Sequence, residues 1–143
     1  MPRTEKPLDR FVEAQRANYQ DALAEIQAGR KRSHWMWYVF PQIKGLGFSE
    51  MAKFYAIDTI KEAEDYLAHP VLGKRLIEMA EVLLDLKENN ANLIFGSPDD
   101  MKLKSSLTLF LNLSGANPIF SKVLDKYFGG AQDTETLRII GKL

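Results

Sequence analysis

The residues best equipped for chemistry gather in one stretch, Gly29-Arg30-Lys31-Arg32-Ser33-His34-Trp35-Met36-Trp37-Tyr38-Val39-Phe40-Pro41-Gln42. It combines a run of three cations with one of two histidines and both tryptophans. Cations hold phosphate while aromatic faces stack a base or a nicotinamide-like ring, so a nucleotide or the end of a nucleic acid could be read here. The same residues also make a plain structural element, since large aromatics dominate cores and a basic run solvates a helix end. An imidazole such as that of His34 suits general acid–base work, phosphate binding or a structural hydrogen bond. Residues two apart in a short helical turn point in different directions, so one tryptophan is expected in the core and the other in a pocket wall, with His34 lining a concavity.

Two further groups could join that site. In Gln42-Ile43-Lys44-Gly45-Leu46-Gly47-Phe48-Ser49, a lysine sits beside two glycines just before a helix start. Glycines let backbone N–H groups approach an anion, and a helix amino terminus adds partial positive charge. The segment is not a Walker loop, and a plain capped turn explains it equally well. Farther on, Lys102 and Ser106 lie one turn apart within the apolar arc of Leu103, Leu107, Leu109, Phe110, Leu111 and Leu113. A lysine stripped of water favours its neutral form and can activate a serine nucleophile. The pair could instead hold phosphate, or Lys102 could snorkel outward while Ser106 bonds the carbonyl four residues earlier. Gln15 falls in the middle of an apolar helix face formed by Phe11, Val12, Tyr19, Ala22, Leu23 and Ile26. An unpaired buried amide costs about 1–3 kcal/mol, so Gln15 must either brace the fold or face a polar cavity.

The elements that position these residues read as all-α. Apolar residues recur at helical spacing between clear punctuation marks, and strand-like alternation is almost absent. A first helix is expected from about Leu8 to Ala28, followed by a short aromatic helix or turn over Ser33 to Phe40 that Pro41 ends. Ser49 caps a helix through about Ala56, and Thr59 with Glu62 forms a capping box for a helix ending near His69. Pro70 opens a long helix to about Lys87, with Lys74, Glu78, Glu81 and Asp85 on its solvated face. Asn92 caps a single turn before Gly96. Ser97-Pro98-Asp99-Asp100 starts a helix reaching about Ser114, Asn117-Pro118 starts one to about Phe128, and Asp133 caps a last one through Ile140. Residues 1–7 are expected to be a flexible segment. Residues 8–143 should form one compact domain of about seven to nine helices, several of them short.

Composition narrows the function classes. The chain has 143 residues, 45% hydrophobic and 27% charged, which is the profile of one ordinary globular domain. Nineteen basic residues balance nineteen acidic ones, so no global field recruits nucleic acid or an anionic membrane. With no cysteine, a disulfide scaffold, a thiolate zinc site, an iron–sulfur cluster and a thiol nucleophile are all excluded. Two distant histidines give no His-Glu-x-x-His spacing, so no metal is expected, and no cofactor is needed to explain folding. The polar amino terminus and the short apolar run Trp35 to Phe40 supply neither a signal peptide nor a membrane span, and the expected compartment is the cytoplasm.

The chain resembles the bacterial domain-of-unknown-function family 1810, whose members often carry the mistaken label calpastatin. The resemblance rests on Phe11, Ala14-Gln15, Tyr19, Ala22-Leu23, Gly29, Lys31, His34-Trp35-Met36-Trp37 and Phe40-Pro41-Gln42. It continues through Gly45-Leu46-Gly47, Tyr55-Ala56-Ile57, Tyr66-Leu67, His69-Pro70, Leu72-Gly73, Phe95-Gly96, Asp100, Lys102, Ser105-Ser106 and Thr108-Leu109-Phe110, nearly the whole chain. It implies a single helical domain of bacterial origin and no established activity. The residues themselves point to a pocket for a small anionic, nucleotide-like ligand. His34, Lys102 and Ser106 are its candidates for hydrolase or transferase chemistry, and Gln15, Arg32, Trp35, Trp37, Gln42 and Lys44 for ligand contact. A non-catalytic interaction or structural module is the alternative, and oligomeric state is not legible.

Overall fold

Capping and packing decide where this chain turns. The computed structural model describes residues 7–143. It contains α1 (Asp9–Gln27), α2 (Met36–Val39), α3 (Glu50–Tyr55), α4 (Ile60–Ala68), α5 (Leu72–Asp85), α6 (Ala91–Phe95), α7 (Asp99–Leu111), α8 (Ile119–Phe128) and α9 (Thr134–Ile139). Apart from Pro7, the expected flexible segment lies outside the described residues. Among the described residues there is no sheet, and the one extended pairing is a parallel bridge between Ile43 and Ile57. Among the described residues no helix is long and apolar enough to cross a membrane.

Several predicted caps form as written. Ser49 accepts the Ala52 N–H at 3.1 Å, Thr59 accepts that of Glu62 at 3.1 Å, and Asp133 accepts that of Thr136 at 2.9 Å. Others differ for local reasons. Asn90, not Asn92, caps α6, its side chain accepting from the N–H groups of Asn92 and Leu93. The long helix starts at Leu72 because His69 Nδ1 takes the N–H groups of Val71 and Leu72 at 3.1 and 3.2 Å, leaving Pro70 outside. Helix α7 has Pro98 at its cap position with no side-chain bond, and it ends at Leu111 rather than Ser114.

The core is an aromatic chain linking four helices. Phe11 of α1 meets Tyr66 of α4 edge to face at 5.1 Å, Tyr66 meets Phe110 of α7 at 5.6 Å, and Phe110 meets Phe120 of α8 at 5.8 Å. Such pairs add stabilisation beyond the apolar area they bury. Gln15 lies inside this core and braces it. Its Nε2 donates to the Tyr38 carbonyl at 2.7 Å and to the Tyr66 hydroxyl at 3.1 Å, fastening α2 to α1 and α4. Burial pushes the Tyr66 phenol far up, so its hydroxyl keeps its proton and donates in turn to the Tyr38 carbonyl.

A buried ion pair sets the other side of the molecule. Arg10, whose side chain is 3% exposed, pairs with Glu62 at 2.9 Å. Its remaining donors reach the carbonyls of Phe54 at 2.8 Å, Ala56 at 2.7 Å and Pro7. Glu62 also accepts the Asp58 N–H at 2.7 Å, so its side chain closes the turn before α4 instead of returning to Thr59. One guanidinium thus joins α1, the end of α3 and the start of α4. Removing either partner of such a pair leaves an uncompensated buried charge, so Arg10→Ala or Glu62→Ala should each lose about 3–5 kcal/mol of stability in urea denaturation. A loss below about 1 kcal/mol, the worth of a solvent-exposed pair, would show that the clamp is not structural.

Candidate functional site

A cavity of about 440 Å³ opens between α2, the loop after Pro41 and α3. The loop is held at its base, where Lys44 N–H donates to the Ile57 carbonyl and Ile57 N–H to the Gln42 carbonyl, both at 2.8 Å. Inside that closure Gly45 adopts φ +109°, a conformation that side chains resist. At Gly47 a Cβ would come within 2.5 Å of the Ala52 Cβ, so only glycine lets the loop lie flat on the first turn of α3. Helix α3 itself buries no residue.

The lining has a distinctive inventory. Trp37, Phe48 and Tyr55 supply aromatic surface, and Phe48 is 81% exposed at the mouth. Gln42, Lys44, Lys53 and Tyr55 supply polar heads, and among the described residues no carboxylate, serine, threonine or histidine lines the space. Lys44 approaches Asp58 at 3.4 Å on the exposed rim. Among the described residues, the Gln42 amide, the Lys53 ammonium and the Tyr55 hydroxyl have no hydrogen-bond partner. Burial raises the Tyr55 phenol, against the opposing Arg10 charge, so its hydroxyl remains a donor.

The residues singled out in the sequence divide between this cavity and the framework behind it. Trp37, Gln42 and Lys44 meet in the lining. Trp35 is buried, so one tryptophan does enter the core while the other forms a wall. Gln15 lies in the core as described above. The side chains of Arg32 and His34 are exposed, and neither residue lines the cavity. Lys102 lies over the Trp37 ring, 5.1 Å from its centroid, with Nζ 3.4 Å from Asp99. Ser106 Oγ is buried with no hydrogen-bond partner, while Ser105 and Thr108 bond back to the carbonyls four residues earlier at 3.1 and 2.8 Å. Lys53, Tyr55 and Phe48 were not selected from the sequence. Phe48, Met51 and Phe54 recur every third residue, which reads as a buried face, yet all three are exposed.

The basic segment and α7 meet at a carboxylate of the protein itself. Asp99, the first residue of α7, accepts Lys31 at 2.9 Å through one oxygen and Lys102 at 3.4 Å through the other. Lys31 lies over Trp35 at 5.0 Å as Lys102 lies over Trp37. A second internal carboxylate, Glu25, accepts the N–H groups of Arg32 at 2.7 Å and Ser33 at 3.0 Å, the Ser33 hydroxyl, and the Trp35 indole N–H at 2.9 Å. No group of three or more carboxylates or histidines among the described residues is placed to hold a metal ion.

Burial raises the Glu25 carboxyl, but hydrogen bonds from the Ser33 side chain, the Arg32 and Ser33 backbones and Trp35 outweigh it and hold the group at about 2, against an ordinary 4.5. A lowered carboxyl stabilises the fold above pH 4.5, and that contribution disappears as the pH falls toward 2. Between those limits wild-type stability should therefore decline with acid more steeply than that of Glu25→Gln, measured by denaturant melts at stepped pH. Parallel slopes would remove Glu25 from this role.

The similarities to known proteins agree with this architecture. A solved structure, the conserved hypothetical protein Rv1873 from Mycobacterium tuberculosis, is 46% identical, with a TM-score of 0.91 over 94% of this chain and 96% of that one. No curated protein matches the chain. The family model described as protein of unknown function, DUF1810, matches residues 5–140, and the chain belongs to that family.

Proposed function

We propose that the protein binds a small anionic, nucleotide-like ligand in the cavity between α2 and α3. The observation that carries this reading is the lining itself, in which an aromatic wall meets Gln42, Lys44, Lys53 and the Tyr55 hydroxyl, with no carboxylate among its described residues. Lys53, which has no acidic partner, favours a negative ligand, as does Lys44 where it turns from Asp58 at the rim, and Trp37, Phe48 and Tyr55 favour a planar one. Gln42 can donate and accept, which suits the edge of a heterocycle. A volume of about 440 Å³ is in the range of small-molecule sites.

Binding has more support than hydrolysis or group transfer. The lining offers no serine or histidine, Lys102 is engaged by Asp99, and Ser106 is sealed. A catalytic use of His34, Lys102 and Ser106 would require the exposed His34 side chain to join a buried hydroxyl. The balanced charge of the chain also disfavours a long nucleic-acid track. One observation favours the alternative of an interaction module: Phe48, which lines the cavity, and Met51 and Phe54 of α3 expose apolar surface.

Titration calorimetry and tryptophan fluorescence with inorganic phosphate, adenosine monophosphate and guanosine monophosphate test the reading. A nucleotide should bind, quench Trp37 and weaken as salt is added. Lys53→Ala should reduce affinity about tenfold, the scale of one charge-assisted hydrogen bond, while leaving the melting temperature nearly unchanged. If none of the three anions binds the wild type, the reading is wrong and the interaction module takes its place.

A further inference from the structure

The loop between Pro41 and α3 brings main-chain donors to the cavity. Gly45, Gly47 and Phe48 belong to the lining, and among the described residues the N–H groups of Gly45, Leu46, Gly47 and Phe48 donate to no protein acceptor. The chain is fastened on both sides of them. Before them, Lys44 N–H donates to the Ile57 carbonyl at 2.8 Å, and after them the Ser49 hydroxyl accepts the Ala52 N–H at 3.1 Å as α3 begins. Four successive donors are thus held, unengaged, between two fixed points. Both glycines are required for that course. At Gly45, with φ +109°, a Cβ would press on Ile139 Cδ1 at 3.3 Å, and at Gly47 it would meet the Ala52 Cβ at 2.5 Å. Without side chains at these places, an anion can approach the backbone N–H groups closely.

The charged side chains around the loop leave one cation for a ligand. Lys44 is 3.4 Å from Asp58 on the exposed rim, Glu50 follows the loop without lining the cavity, and Lys53 lines it with no ion-pair partner among the described residues. A single exposed ammonium holds an anion weakly in water. Hydrogen bonds from N–H groups to an ionised acceptor are stronger than those to a neutral one, and donors already fixed in place lose little further freedom on binding. A phosphomonoester suits such a set better than other anions do. It has three free acceptor oxygens and close to two negative charges at neutral pH, whereas a phosphodiester has two free oxygens and a carboxylate has two in one plane.

We infer that the main chain of residues 45–48 is the anion subsite of this cavity and that it takes a phosphomonoester, with Lys53 offsetting part of the charge. The inference rests on the ligand-binding reading above and adds the group that is held and the backbone that holds it. The aromatic lining and Gln42 remain for the rest of the ligand.

The test compares adenosine monophosphate with its phosphate methyl ester, which keeps the base and sugar but loses one free oxygen and one charge. Calorimetry on the full chain should show the monoester binding the wild type about tenfold more tightly, the scale of one charge-assisted hydrogen bond. In amide proton–nitrogen NMR spectra of the labelled chain, the monoester should move the Gly45, Gly47 and Phe48 amide protons downfield, and adenosine should not. Gly45→Ala and Gly47→Ala, each checked for native helical circular dichroism, should bring the two affinities within about twofold, a loss of preference that general damage to the cavity would not give. If neither variant folds, the amide shifts of the wild type decide. Equal affinities in the wild type, loop amides that stay in place while the Trp37 indole signal moves, or a preference unchanged in whichever glycine variant folds would overturn the inference and leave the binding reading intact. Absence of binding by both phosphates would overturn both.

Discussion

At the start of α7, one carboxylate is shared by two lysines, and the placement of both tryptophans depends on it. The segment from Gly29 to Phe40 has little helix of its own, since α2 spans only Met36–Val39. Its position must therefore come from contacts outside it. Asp99 draws in Lys31 and Lys102, and these cover Trp35 and Trp37 respectively. The Lys31 side chain is 7% exposed, and a buried ammonium persists only when it is paired. Glu25 completes the arrangement from α1, gathering the Arg32 and Ser33 N–H groups and the Trp35 indole in one carboxylate. Two internal anions thus satisfy a basic and donor-rich stretch that would otherwise call for an external one.

With Trp35 anchored inward, Trp37 is turned to the opposite task. Gln15 fixes the level of α2 through the Tyr38 carbonyl, and Arg10 fixes the far wall through the carbonyls of Phe54 and Ala56. Tyr55 stands between these supports, 5.8 Å from Phe11 and 5.2 Å from Tyr38. The cavity is consequently built on rigid, buried polar contacts, although α3 contributes no buried residue. That division suits a binding site, where a preorganised frame carries a polar lining that is left unpaired. Among the described residues Ser106 is the one buried side chain left unpaired, whereas Gln42, Lys53 and Tyr55 carry polar heads in the cavity lining with no protein partner.

The same frame accounts for the isolated Ser106 hydroxyl. Ser105 and Thr108 return their hydroxyls to the helix backbone, whereas Ser106 is buried on the α7 face among Leu103, Leu107 and Phe110 without a partner. A small side chain there spares volume at a crowded helix contact.

How much of this was legible in the sequence differs between levels. Local chemistry determined the all-helical fold: helical spacing of apolar residues, hydroxyl and carboxylate caps at Ser49, Thr59 and Asp133, and proline and glycine stops need only neighbours along the chain. The same local logic marked Gln15 and Lys102 as polar groups on apolar faces, and it paired a core tryptophan with a wall tryptophan. It could not say what would satisfy them. Gln15 finds Tyr38 and Tyr66 from 23 and 51 residues away, and Lys31 and Lys102 find one carboxylate of the protein in common. Nor could spacing reveal that the apolar face of α3 would stay exposed, because exposure depends on whether another element covers it. Residue types and periodicity established the helices and the unusual residues. Only tertiary packing decided which charges were already neutralised within the fold and which, as at Lys53, were left facing a cavity.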